Sequence, residues 1–200
     1  MPGWPIAAVG GRRAVARPDG EAEARLIGAV AAGDRRAFED LYRLYHPRLT
    51  RFLATMLSRA QAVEEALDDT MMVVWNRSSS FNGTSKVSTW VFAIAYRTAL
   101  NALRRHDPPV EDLDAHARPS GEAGPEQQLG QSEVQRLLLA AMGELSEDHR
   151  AVVDLTYFHD LGYREIAQIM TCPVDTVKTR MFHARRHLRR KLAGELADWL

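Results

Sequence analysis

Three things are scarce in this chain. Cysteine is the first: Cys172 stands alone, which excludes an intramolecular disulfide and a thiolate zinc cage and fits a reducing compartment. Net charge is the second. Lysine plus arginine total 26 and aspartate plus glutamate total 26, so no global field draws the molecule to nucleic acid or an anionic membrane, and any charged binding surface must be local. Long apolar runs are the third. None approaches the roughly 18 residues that span a bilayer, and the N-terminus lacks the apolar core of a secretory signal, so the expected location is the cytoplasm, with no membrane insertion. Strand-like alternation, internal repeats, a phosphate-cradling glycine loop and a nucleophile motif are missing as well. What is left is an all-α chain, whose 200 residues suit one large domain or two small ones.

The helical periodicity divides the chain. Residues 1–20 hold four glycines, three prolines and three arginines without an apolar face, and read as a flexible leader. From 21 to 106 the pattern is that of a helical bundle. Phe38, Leu41, Tyr42, Tyr45, Leu49, Phe52, Leu53 and Met56 fall on one stripe of a helix that Asp34 is placed to cap. Val63, Ala66, Leu67, Thr70, Met71, Val74 and Trp75 form a second stripe. The segment 88–105 carries apolar residues around most of its circumference, as a central helix does. Before it lies the polar loop RSSSFNGTSK with one aromatic, Phe81.

Residues 107–130 are rich in proline and glycine and hold six acids against one arginine, the composition of an acidic linker. A second helical domain follows over 131–195, with Ser146 expected to cap its second helix. Its last part has the anatomy of a helix-turn-helix. Ile166, Ala167 and Met170 give the first helix a compact face, Pro173 breaks the chain at the turn, and Asp175 or Thr176 is expected to cap the next helix. Val177, Met181, Ala184, Leu188 and Leu192 then face inward. From 176 to 192 the helix carries Lys178, Arg180, Arg185, Arg186, Arg189, Arg190 and Lys191 with no acid, a local phosphate-binding surface inside a neutral protein. A merely solvated basic face is the plain alternative. The coincidence of turn, small Ala167 and basic helix favours DNA, with Lys178, Thr179, Phe182 and His183 addressing bases and the later arginines holding backbone.

The phrases VEEALDDTMMVVW and SFNGTSKVSTWVFAIAYRTALNALRRH resemble the promoter-melting domain of bacterial sigma factors. HRAVVDLTYFHDLGYREIAQIM and CPVDTVKTRMFHARRHL resemble the matching domain that reads the upstream promoter element. With two domains and a short linker, the chain resembles the extracytoplasmic-function sigma factors over about residues 21–192. That resemblance implies a factor, not itself an enzyme and needing no cofactor or metal, that binds core RNA polymerase and promoter DNA and is held in check by an anti-sigma factor. It implies polymerase binding around Glu64, Glu65, Asp68 and Asp69. Capture of the −10 strand falls to Phe81, Asn82, Ser85, Lys86, Trp90 and Arg97, whose polar reach and aromatic surface suit extruded bases, although Trp90 alone fits a core position equally well. Recognition of the −35 duplex falls to Thr176, Lys178, Thr179, Arg180, Phe182, His183 and Arg186. The acidic linker would run through a channel built for RNA. The chain departs from its relatives at Ala93, where arginine is common, at Arg97, where asparagine is frequent, and at Thr171 and Asp175, where glycine is usual; Thr171 is expected to strain the turn.

Other readings are weaker. His183 and His187 stand four apart, a metal-ligating spacing, but without a nearby acid or cysteine on that face they read as polar or phosphate-contacting histidines. Cys172 reads as a small buried residue beside the turn. The rival functions are a free-standing helix-turn-helix repressor or activator, and a nucleic-acid-processing enzyme using the carboxylates of residues 64–69.

Overall fold

The computed structural model describes residues 20–106 and 133–197. The leader and the acidic linker lie outside the described residues, save Gly20, which opens the first helix. Among the described residues all regular structure is helical: α1 (Gly20–Ala31), α2 (Arg35–Met56), α3 (Ala60–Arg77), a 3-10 turn (Ser78–Ser80), α4 (Val87–His106), α5 (Glu133–Gly143), α6 (Glu147–Tyr157), α7 (Tyr163–Met170) and α8 (Val174–Ala197).

The first four helices form a bundle on the stripes read from the sequence. Asp34 caps α2 as expected, its Oδ1 accepting the amides of Arg36 at 2.8 Å and Ala37 at 3.2 Å. Leu41, Tyr45, Leu49, Phe52, Leu53 and Met56 then turn their apolar side inward and are buried. Pro47 sits inside α2 and removes one ladder hydrogen bond. On α3, Val63, Ala66, Leu67, Met71 and Val74 are buried, and so is Thr70, whose hydroxyl is satisfied by the Ala66 carbonyl at 2.6 Å. The central position of α4 shows in the continuous burial of residues 91–96, Ala93 among them. Glu23 on α1 is buried against Arg48 of α2 at 3.6 Å, and the Arg48 guanidinium in turn lies over the rings of Tyr45 and Phe92.

The second domain closes around α8. Val177, Met181, Ala184 and Leu188 of that helix are buried with Leu145, Val152, Leu155, Ile166 and Ile169 from α6, α7 and the α5–α6 turn, whereas Leu192 is half-buried. One expected cap holds its place and the other is corrected. Ser146 does take the N-cap place of α6, but its hydroxyl lies 2.5 Å from His149 Nδ1 and makes no capping bond. At α8 the Pro173 carbonyl accepts the first helical bonds, from Thr176 and Val177, so Asp175 and Thr176 are already inside the helix. Asp175 instead holds Lys178 at 2.9 Å and complements the helix dipole from the first turn.

The domains also pack against one another, α4 on α7 and α2 on α6, which nothing in the linear pattern announces. His159, just past α6, is buried with its ring 4.6 Å from that of Phe92 and 6.3 Å from that of Phe52. Its Nε2 lies 2.9 Å from the fully buried Asp154 carboxylate, and Arg51 of α2 approaches the other Asp154 oxygen at 3.8 Å while stacking on Phe158 at 3.6 Å. A buried carboxylate deprived of its partner keeps its desolvation cost and loses its compensation. His159→Ala should therefore lower the unfolding free energy by about 3 kcal/mol in urea denaturation; a change under about 0.5 kcal/mol, the usual surface value, is the contrary result.

Candidate nucleic-acid interface

The helix-turn-helix is built from α7 and α8. The Glu165 carboxylate reaches back to the Gly162 amide at 2.8 Å and fixes the start of α7. The turn runs through Thr171, which adopts the left-handed conformation (φ 52°, ψ 48°), and is closed by the amide of Cys172 bonding to the Ala167 carbonyl at 3.0 Å. The strain expected from a β-branched residue at that place is thus present. Cys172 is half-buried, not fully, with the Arg180 guanidinium 3.8 Å from its sulfur.

With one stripe of α8 clamped in the core, the opposite stripe is fixed toward solvent. Lys178, Thr179, Phe182, His183 and Arg186 are exposed there, and Phe182, at 63% exposure, is an apolar ring open to solvent with the His183 ring edge-on to it at 5.5 Å. Thr176 and Arg180 are half-buried, so they stand at the edge of this surface. Arg180 is ion-paired with Asp148 of α6, and the Tyr96 hydroxyl of α4 donates to the same carboxylate at 2.5 Å. Burial and that carboxylate together push the Tyr96 phenol well above its usual range, so it remains a donor. Arg185 turns away to the Tyr157 hydroxyl at 3.0 Å.

In the first domain the loop after α3 folds on itself. Asn82 accepts from the Thr84 amide at 3.1 Å and the Thr84 hydroxyl at 2.8 Å, an Asx turn that needs the positive φ of Gly83, at 72°. Phe81 and Trp90 are both half-buried, their rings 5.6 Å apart at 59°, so Trp90 is neither plain core nor a free blade. Arg97 is exposed two turns further along α4, on the side of Trp90. Ser85 is half-buried, and exposed Lys86 is paired with Glu165 of α7 at 2.9 Å. The loop of one domain therefore touches the start of the helix-turn-helix of the other.

Glu64, Glu65, Asp68 and Asp69 are all exposed along α3, beside Met72 at 55% exposure. They do not converge, and among the described residues no group of three or more His, Cys, Asp or Glu side chains is arranged to hold a metal. His187 faces Glu144 at 3.4 Å, the acid not foreseen in the sequence, while the ring of His183 meets that of His149 at 6.3 Å. The contacts of His149 with His183, Asp148 with Arg180 and Tyr96, and Glu165 with Lys86 escaped the linear pattern because each joins residues far apart in the chain.

Comparison with known proteins matches residues 41–108 to the sigma-70 region 2 family and residues 135–188 to sigma-70 region 4. An ECF RNA polymerase sigma-E factor of Haemophilus influenzae is 30% identical over 177 residues, covering 84% of this chain and 93% of that protein. The RNA polymerase sigma-H factor of Pseudomonas aeruginosa is 30% identical over 189 residues, 89% of this chain and 97% of its own. Among solved structures, the sigma factor RpoE of Bartonella quintana, crystallised with the anti-sigma factor NepR, superposes with a TM-score of 0.65 at 28% identity, over 78% of this chain and 96% of that one. The two helical modules and their order are those of one family, and the chain belongs to the extracytoplasmic-function RNA polymerase sigma factors.

The strained turn yields a direct test. Thr171→Gly removes a left-handed β-branched residue at the cost of some extra freedom in the unfolded chain. A net gain of about 1 kcal/mol in stability is expected from thermal melts; a loss of stability shows that the Thr171 side chain makes contacts worth more than the strain.

Proposed function

We propose that this chain directs a bacterial RNA polymerase to its promoters from the cytoplasm, leaving catalysis to the polymerase. The observation that carries the reading is the exposed Lys178, Thr179, Phe182 and His183 face of α8, held rigid by its buried stripe in a chain that also carries region 2. In this reading Lys178 and His183 address base edges of the −35 duplex, and Phe182 supplies an apolar face for thymine methyl groups. Thr176, Arg180 and Arg186 flank them. Phe81 and Trp90 offer a stacking platform for an extruded −10 base, with Asn82, Ser85, Lys86 and Arg97 around it. The carboxylates Glu64, Glu65, Asp68 and Asp69, with Met72 at their side, form the face that docks on core polymerase. An anti-sigma factor covers these surfaces when the chain is idle. The boundaries follow as 1–20 leader, 21–106 first domain, 107–130 linker and 131–195 second domain.

Transcription in vitro with purified core polymerase and the region upstream of the chain's own gene tests the reading. Lys178→Ala with His183→Ala should reduce specific initiation at least about thirtyfold, at about 1–3 kcal/mol per lost base contact, while co-purification with core is unchanged. Reversing Asp68 and Asp69 to lysine should abolish co-purification itself. Tight sequence-specific binding to duplex without polymerase would favour the free-standing regulator instead.

The packed arrangement adds a mechanical requirement. Lys86 touches Glu165 across the domain boundary at 2.9 Å, whereas two elements nominally about 25 base pairs apart are separated by roughly 85 Å of duplex. Both cannot be gripped in the packed form, so the domains separate on the polymerase. Fluorophores placed near residues 86 and 165 should show high energy transfer in the free chain and almost none in the promoter complex; unchanged transfer contradicts the separation.

A further inference from the structure

Beside the proposed base-reading face of α8 lies a cleft of about 530 Å³ whose lining includes Glu144, His149, His183, Arg186, His187 and Arg190. His183, Arg186, His187 and Arg190 stand at i, i+3, i+4 and i+7, one continuous stripe along the helix. His149 comes from α6 and faces them, its ring 6.3 Å from that of His183. Glu144 is the acid of the cleft, and it is already matched, by Lys191 at 2.8 Å and by His187 at 3.4 Å. Asp148 at the rim is likewise taken, by Arg180 and Tyr96. The two arginines thus leave the cleft net positive even with every imidazole neutral, which suits an anion and not a cation.

We propose that His149, His183 and His187, with Arg186 and Arg190, form a seat for one phosphate of the promoter backbone at the flank of the recognition helix, and that the histidines make its grip pH-dependent. The inference rests on the reading that α8 enters a major groove, since the seat then meets the strand bordering that groove. Position supports it: Arg186 and His183 belong both to the exposed base-reading face and to the cleft, so a duplex lying on one reaches the other. The protonation chemistry follows from the neighbours. Burial, then the nearby His183 and Arg180, hold the His149 imidazole below its ordinary value of 6.5, with Asp148 opposing and His187 adding to the depression. The free chain therefore carries His149 neutral at neutral pH. A phosphate favours the imidazolium, so binding raises that pKa and takes up a proton, and affinity climbs as pH falls from neutral toward the lowered pKa of the free chain.

The test uses the full chain and a random-sequence duplex, because a backbone contact is blind to sequence. Uptake of one proton permits at most a tenfold gain per pH unit, and a gain of about fivefold is expected between pH 7.5 and pH 6 at fixed salt. His149→Gln with His187→Gln should flatten that slope, Arg190→Gln should lower the salt slope by about one, and His46→Gln, on the remote α2, should change neither. Ring resonances of His149 and His187 should move with the duplex. A retained slope in the double variant, or unmoved resonances, overturns the seat. Inorganic phosphate at matched ionic strength separates the sources: if it shifts the rings and the duplex does not, the cleft is a free-anion site and the proposal fails. Core-dependent transcription by the unmodified chain keeps the two failures apart, since its loss sinks the sigma-factor reading and its persistence with a flat slope sinks only the seat.

Discussion

The relative placement of the two domains depends on the contact of His159 with Phe52 and Phe92 above the buried Asp154. Two aromatic rings of the first domain meet an imidazole of the second, and a carboxylate with no exposure lies directly behind it. Stacking and dispersion favour the contact modestly, whereas the buried charge makes it selective, since any slippage leaves Asp154 facing hydrocarbon. Of the polar pairs around it, Lys86 with Glu165 lies toward the surface and contributes little by itself, whereas Arg51 with Asp154 and Tyr96 with Asp148 each have one buried member. The joint is therefore firm in geometry and moderate in strength, as the proposed separation of the domains on a larger partner would require.

Most of the fold was legible in the sequence because it is written in period 3.6. The stripes on α2, α3 and α8 predicted most of the buried residues, with Phe38, Tyr42, Trp75 and Leu192 only half-buried, and Asp34 declared its cap. Ser146 did not behave as its residue type suggests, since His149 one turn later competes for the hydroxyl, and Pro173 rather than Asp175 took the cap of α8. Such choices lie between near-equal hydrogen bonds, which a linear pattern cannot rank. The candidate surface was legible where it is local: Lys178, Thr179, Phe182, His183 and Arg186 sit within nine positions of one helix and stay on one exposed side. It was illegible where it is assembled across the fold. Glu144 and His149 join His187 and His183 only after α5, α6 and α8 have packed, and Lys86 meets Glu165 only after the domains have.

The chain's overall neutrality conceals a strong segregation of charge. Acids collect on α3 and in the segment between the domains, bases on α8, so different stretches of the chain carry opposite charge. A uniformly basic protein would be attracted to any nucleic acid in the cell. Here the pull is concentrated on local stretches, α8 above all, and screening at physiological salt limits its reach to about 8 Å. Correct docking thus depends on shape at close range more than on long-range steering.

One consequence of α8 concerns how this chain can diverge. A helix of 24 residues is a straight rod roughly 36 Å long, while the groove it addresses curls around a cylinder. A rod can lie tangent to that curve only over its first turns, and the remainder departs from the base edges. On the proposed reading, Arg189, Arg190 and Lys191 could drift in identity, provided they remained cationic, with the target letters unaltered, whereas a change at Lys178 or Phe182 would rewrite the address.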